Sequence, residues 1–245
     1  MIATDTKLKH CIAALVLFAI VHPAFAGPVL DQSYVPTSWT SIQARNIDYQ
    51  GQSFTVGMNG QLASISLDLW RFGASTSMNF NLFPIVGGTA EVTQGVSLVV
   101  PESSIPVIGP DGGNTSPINQ WMSINLSAFN LSVQAGQQWG MVVHSAMPNE
   151  VGGITWFSGC EGDTTCGTGA GHDGGYAGGS PIWYCDPCGN SPSGPLTDFT
   201  VRTRTDFDQA FATYVIPAPE PDSLALMLCG LAGIALYSLR LRRNS

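Results

Sequence analysis

Ala63-Ser64-Ile65-Ser66-Leu67-Asp68-Leu69-Trp70 alternates apolar and mostly polar side chains without a break. A period of two puts successive side chains on opposite faces of an extended chain. Ala63, Ile65, Leu67 and Leu69 are therefore expected to face a core, and Ser64, Ser66, Asp68 and Trp70 to face water. Met78, Phe80 and Leu82 alternate with Asn79 and Asn81 in the same way until Gly87-Gly88 interrupts. Met122, Ile124 and Leu126 alternate with Trp121, Ser123 and Asn125. Upstream, Gln52-Ser53-Phe54-Thr55-Val56-Gly57 is rich in β-formers, and the Asn59-Gly60 pair after it predicts a tight hairpin, because both residues tolerate positive φ.

Further strands are expected at Trp39 to Ile42 on an edge, Val96 to Val100, Gln138 to Ser145, Ile154 to Phe157, Ile182 to Tyr184, Phe199 to Thr205 and Ala210 to Val215. Residues 101–117 are rich in Pro, Gly and Ser and read as a long loop. Residues 146–195 are dense in glycine and carry four cysteines. Outside the termini no helical period appears. The fold class expected is all-β: an antiparallel two-sheet sandwich or jelly roll.

The two ends read differently. Lys7 and Lys9 precede an apolar run from Cys11 to Val21, and Ala24-Phe25-Ala26 has the small-x-small pattern that a signal peptidase cuts. Residues 1–26 are expected to be a signal peptide, with Gly27 the first mature residue, and residues 27–216 the exported domain. At the other end Pro219-Glu220-Pro221 is followed by an uncharged run over 224–239 and then by Arg240, Arg242 and Arg243. Sixteen residues rise only about 24 Å as a helix, somewhat short of a bilayer's apolar core, but mismatch of this size is cheap. The arginines place the C-terminus in the cytoplasm by the positive-inside rule.

This tail, over 217–245, resembles the PEP-CTERM sorting signal of Gram-negative bacteria. The resemblance implies an exosortase as partner, a membrane helix in the precursor, cleavage near the motif, and delivery to the cell envelope, outer surface or extracellular matrix. The alternative is a plain anchor that is never processed. Val29-Leu30-Asp31-Gln32, Gln52 to Gly57, Gly60-Gln61-Leu62, Val133-Gln134-Ala135-Gly136 and Asp198 to Thr203 look like the choice-of-anchor domains, bacterial extracellular β-sandwiches found with such tails. That resemblance implies fold and location and brings no catalytic residue.

Charge narrows the function classes. The exported part carries four arginines, no lysine and fourteen acids, or about −10. Such a surface repels phosphate backbones and anionic headgroups, so nucleic acid is not an expected partner. Cys160, Cys166, Cys185 and Cys188 are expected to form two disulfides in an oxidising compartment. Three pairings are open. Cys160 with Cys166 and Cys185 with Cys188 is favoured, since it keeps partners close in sequence, while nested pairing closes a longer loop; the alternative to disulfides is a four-thiolate zinc site.

Asp111-Gly112-Gly113-Asn114 and His172-Asp173-Gly174-Gly175 resemble only fragments of calcium loops, so no metal or other cofactor is expected. Trp156, Tyr176, Trp183 and Tyr184 are the candidate glycan contacts, since exposed rings stack on sugar faces. No nucleophile elbow or His-Glu zinc motif is present, and a non-enzymatic protein is expected. The alternative reading is a carbohydrate-binding module for exopolysaccharide or cell-surface glycan.

Overall fold

A computed structural model describes residues 27–36, 40–44, 49–73, 77–107, 121–145, 152–160, 175–184, 196–201 and 207–218, with 227, 228, 230–235 and 238. For 40–44, 72, 73, 152, 160, 183, 184 and 207 it describes the backbone only. Ala24, Ala26, Cys166, Cys185, Cys188, Pro219, Glu220, Pro221, Arg240, Arg242 and Arg243 lie outside the described residues. So do residues 111–114 and 172–174 of the calcium-like fragments.

The strands, in chain order, are β1 (Val29–Tyr34), β2 (Thr40–Ala44), β3 (Tyr49–Thr55), β4 (Gly60–Gly73) and β5 (Met78–Val86). Then come β6 (Thr89–Ala90), β7 (Val96–Val100), β8 (Trp121–Asn125), β9 (Ser132–Val133) and β10 (Gln138–Ser145). The last five are β11 (Gly152–Cys160), β12 (Pro181–Tyr184), β13 (Phe199–Thr200), β14 (Phe207–Gln209) and β15 (Phe211–Pro217). An eight-stranded sheet runs β1-β15-β4-β11-β14, with β8 and β9 also on β4 and β2 also on β11. A seven-stranded sheet runs β12-β3-β10-β5-β6-β13, with β7 also on β5. Every strand pair is antiparallel. The fold is all-β, and helix in the Pro28–Pro217 unit is limited among the described residues to three short 3-10 turns.

Side chains from both sheets meet in one apolar cluster. Leu62, Ile65, Leu67 and Leu69 of β4, Ile154 and Trp156 of β11, and Phe211 and Val215 of β15 come from the first sheet. Phe54 of β3, Met78, Phe80 and Leu82 of β5, and Trp139, Met141 and Val143 of β10 come from the second. The alternation read in β4 holds from Ile65 onward and slips before it. Tyr214 faces Ser64 while Val215 faces Leu62, so Ala63 is an extra residue at a bulge and Leu62 turns inward in its place.

Three local expectations need correction. Trp70 and Asp68 do not face water: both are buried, Trp70 against Phe157 at 4.5 Å between ring centroids and beside Ala210. Asn59-Gly60 does not close a hairpin, because β3 and β4 belong to different sheets. The chain crosses between sheets there, and Asn59 Oδ1 accepts the Ala135 N–H at 2.9 Å, fixing the crossing to the turn before β10. Of the strand expected from Phe199 to Thr205, Phe199–Thr200 is strand and Val201 is not, while residues 202–206 lie outside the described residues. The one two-residue hairpin turn described is instead Gly87-Gly88, between β5 and β6, with φ of 57° and 81°. Positive φ at both positions is what a type I′ turn requires.

The chain's contacts define two units, Pro28–Pro217 and Met1–Gly27 with Ala218–Ser245. In the second, residues 227, 228, 230–235 and 238 are helical, with Met227, Leu228 and Ile234 exposed. No helix of the described residues is long and apolar enough to cross a membrane. The spanning helix expected over 224–239 is thus not found there, and positions 224–226, 229, 236, 237 and 239 lie outside the described residues.

Leu67 is fully buried in the shared core, so Leu67→Ala should cost about 2–5 kcal/mol through lost burial and a residual cavity. Val99 is 67 % exposed, and Val99→Ala should change stability by under about 0.5 kcal/mol. Urea unfolding of the two variants checks the contrast.

Candidate functional site

Polar side chains are buried where one end of each sheet approaches the other, at β12 and its neighbour β3 in one and at β14 in the other. Gln52 on β3 is wholly buried and reaches β14 of the other sheet with both ends of its amide. Its Nε2 donates to Asp208 Oδ1 at 2.7 Å, and its Oε1 accepts the Gln209 N–H at 2.9 Å. A buried amide is costly unless its donor and acceptor are both satisfied, which happens here only when the two sheets are docked. Gln209 Oε1 in turn accepts from Ser158 Oγ at 2.6 Å on β11.

The second oxygen of Asp208 accepts the backbone N–H of Tyr176 at 2.8 Å. Tyr176 begins a strap, residues 176–180, that closes this edge. Ser53 N and Oγ both donate to Ser180 O, Ser180 N donates back to Ser53 Oγ, and Thr55 Oγ1 donates to Gly178 O at 2.7 Å. Only glycine fits at 179, since a Cβ there would overlap Ser53 O. The Tyr176 ring meets Phe211 edge-on at 5.0 Å, and its hydroxyl donates to Gln32 Oε1 at 2.8 Å. Burial, then the negative charges of Asp31 and Asp208, push the Tyr176 phenol up to about 12, while a hydrogen bond at Thr55 pulls the other way.

Asp31 sits at a bulge of β1, between Leu30 opposite Tyr214 and Gln32 opposite Thr213. Its carboxylate accepts the Gly57 N–H at 3.0 and 3.2 Å. Burial raises its pKa, against the lowering effect of hydrogen bonds from Gly57, Met58 and Thr213. His144 is half-buried against Tyr49, with ring centroids 4.3 Å apart, and Nδ1 donates to Ser145 O at 3.0 Å. Burial lowers its pKa, so the imidazole is neutral near pH 7.

A second feature is an open groove of about 380 Å³ between β7 of one sheet and β8 of the other. Leu98, Val99 and Val100 form one wall and Trp121 to Ile124 the opposite one, with Pro101, Ser104 and Pro106 at one end. None of the lining side chains is ionisable. Near it Arg71 pairs with Glu102 at 2.9 Å.

The candidate glycan contacts separate. Trp156 is fully buried, its Nε1 donating to Ala210 O at 2.8 Å, so it cannot stack on a sugar, and that expectation is corrected. Tyr176 is engaged in the strap. Trp183 and Tyr184 lie on β12, opposite Gln50 and Tyr49 of β3. Cys160 ends β11, opposite Phe207. Among the described residues no three of His, Cys, Asp and Glu gather as metal ligands. The groove at Trp121 and the Gln52 bridge were not singled out from sequence. A strand whose polar face reads Trp121, Ser123 and Asn125 without a charge was the available signal for the first. Gln50 and Gln52, glutamines on either side of Gly51 at the start of a β-rich run, were the signal for the second.

Asp208→Ala should take from Tyr176 N its acceptor and from Gln52 Nε2 the shorter of its two, leaving only Ser53 O at 3.2 Å, and cost about 2–5 kcal/mol, measured by denaturant unfolding. Because the folded state holds the Tyr176 phenol neutral to about 12 while the unfolded chain ionises near 10, stability should fall as pH rises from 10 to 12. Tyr176→Phe should reduce that slope in pH-dependent unfolding. Comparison with protein-family models, with curated proteins and with solved structures found no match to this chain.

Proposed function

We propose that this chain is a non-enzymatic protein of the bacterial envelope or extracellular matrix. Its β-sandwich is exported by the signal peptide over 1–26 and sorted through the tail over 217–245 by an exosortase. The observation that carries this reading is the order of events at the C-terminus. The last strand, β15, ends at Pro217, and Pro219-Glu220-Pro221, the apolar run and the arginines follow at once. Prolines on both sides of Glu220 disfavour helix and hold that residue extended, which suits presentation to another protein's cleft. The contact division after Pro217 supports the same reading: among the described residues the last strand pairing ends before the motif begins.

The buried polar groups favour a structural role. Asp208, Gln52 and Tyr176, which sit together inside the molecule, are spent on joining the two sheets. The carbohydrate-binding alternative loses Trp156 to the core and Tyr176 to the strap, and rests on Trp183 and Tyr184 alone. Two disulfides among Cys160, Cys166, Cys185 and Cys188 belong to the same exported reading.

Mass spectrometry of the protein recovered from the envelope should show a new C-terminus near Pro219-Glu220-Pro221 and an N-terminus at Gly27. Glu220→Ala with Pro221→Ala should leave the tail attached and the protein in the inner membrane. Recovery of the wild-type chain at the cell surface still ending at Ser245 would overturn the sorting reading.

A further inference from the structure

We propose that the eight-stranded sheet continues from one copy of this chain into the next, with β1 of a second copy pairing against the edge of β8 that faces away from β4. Strands β1, β15, β4 and β8 lie side by side, each antiparallel to its neighbour. β1 and β8 are the outer two, so they run antiparallel to each other. A copy displaced sideways therefore offers β1 to β8 with the polarity of the sheet unbroken, in the pairing that sheets adopt most often.

The hydrogen-bond register agrees. Leu126 N donates to Ala63 O, which makes Ile65–Ile124 and Leu67–Met122 the hydrogen-bonded pairs of β4 and β8. The main-chain groups of Trp121, Ser123 and Asn125 then point away from β4, to a side where β8 has no strand among the described residues. On the far side Asp68 N donates to Ala210 O, so Ser66–Ala212 is a hydrogen-bonded pair and β15 turns Phe211 and Thr213 toward β1. Ser33, opposite Ala212, accordingly directs its main chain outward. Ser33, Ala212, Ser66 and Ser123 occupy one row across the four strands, and a neighbouring copy in that row brings Ser33 opposite Ser123 with complementary groups facing.

Among the described residues neither edge carries the usual guards. Exposed edges are normally blunted by charge, proline or brevity. β8 has five residues with no charge and no proline. The one acid of β1, Asp31, turns its carboxylate back onto Gly57 N–H, while Val29 and Leu30 are 40 % and 52 % exposed. The uncharged groove between β7 and β8 lies open beside the same edge. Because two different edges meet, the contact is head-to-tail and open-ended, giving rows of copies rather than a closed pair.

The full chain, purified in detergent, should show concentration-dependent oligomers by sedimentation. A photo-crosslinking residue at position 123 should capture the peptide containing Leu30 from a second copy. Ser123→Pro and Leu30→Lys should each weaken self-association at least tenfold, and an equimolar mixture of the two variants should recover heterodimers and nothing larger, since each retains one good edge. Unfolding curves matching wild type confirm that the variants fold, and Ser123→Lys replaces the proline variant if it does not. A monomer at every concentration overturns the proposal. So does a Leu30→Lys variant that self-associates as wild type, which would mean that like edges pair.

Discussion

A single buried alanine is where the eight-stranded sheet branches. Ala210 joins β14 to β15, and its backbone serves three neighbours: its N–H donates to Phe157 O at 2.7 Å, and its carbonyl accepts Asp68 N at 3.4 Å and Trp156 Nε1 at 2.8 Å. β4 is thereby held by β15 along its first part and by β11 along its last part, while the chain passes between them. The indole of Trp156 is fixed by this junction and fills the core beneath it. The same crossing covers Trp70 and Phe157 on the other face with Ala210 itself. A side chain larger than methyl would separate the strands whose meeting sets the sheet's order.

The seam from Gln52 to Asp208 uses the opposite kind of force. Apolar packing brings two sheets together without specifying their offset, whereas a buried amide that must satisfy a donor and an acceptor accepts only one alignment. Gln52 acts on β14, Asp208 on the Tyr176 strap, and Tyr176 on Gln32 of β1, so one chain of hydrogen bonds runs from the seven-stranded sheet to the first strand of the other. Three aromatic rings, Tyr34, Tyr176 and Phe211, pack along it.

Strand positions were legible wherever one face of a strand is core and the other is not. β5, β7, β8 and β10 sit where alternation or a short apolar run placed them, because the hydrophobic period reports burial directly. β3 hides this signal: all but one of its residues are buried, Gln50 and Gln52 among them, so no alternation survives. Asn59-Gly60 misled for a different reason. That dipeptide encodes the conformation of a turn and not its partners, and here β3 is claimed by β10 and β12 while β4 is claimed by β15. Trp156 lies inside the short strand signal Ile154 to Phe157, but the glycine-rich sequence around that run offers no alternation to say which face is buried, and its burial follows from the Ala210 junction. The motifs expected at 24–26, 219–221 and 240–243 are linear patterns that lie outside the described residues.

The first strand pairs with the last: Val29 lies opposite Val215, and Gln32 N reaches Thr213 Oγ1 across 181 positions of chain. Closing so large a loop has an entropic cost that no local contact offsets early, and topologies of this kind assemble slowly. A protein threaded across a membrane from its N-terminus would carry β1 unpaired until β15 emerged behind it. Completion of such a sheet would come only near the end of the passage, and a chain so threaded would cross as an open thread and take its shape on the far side.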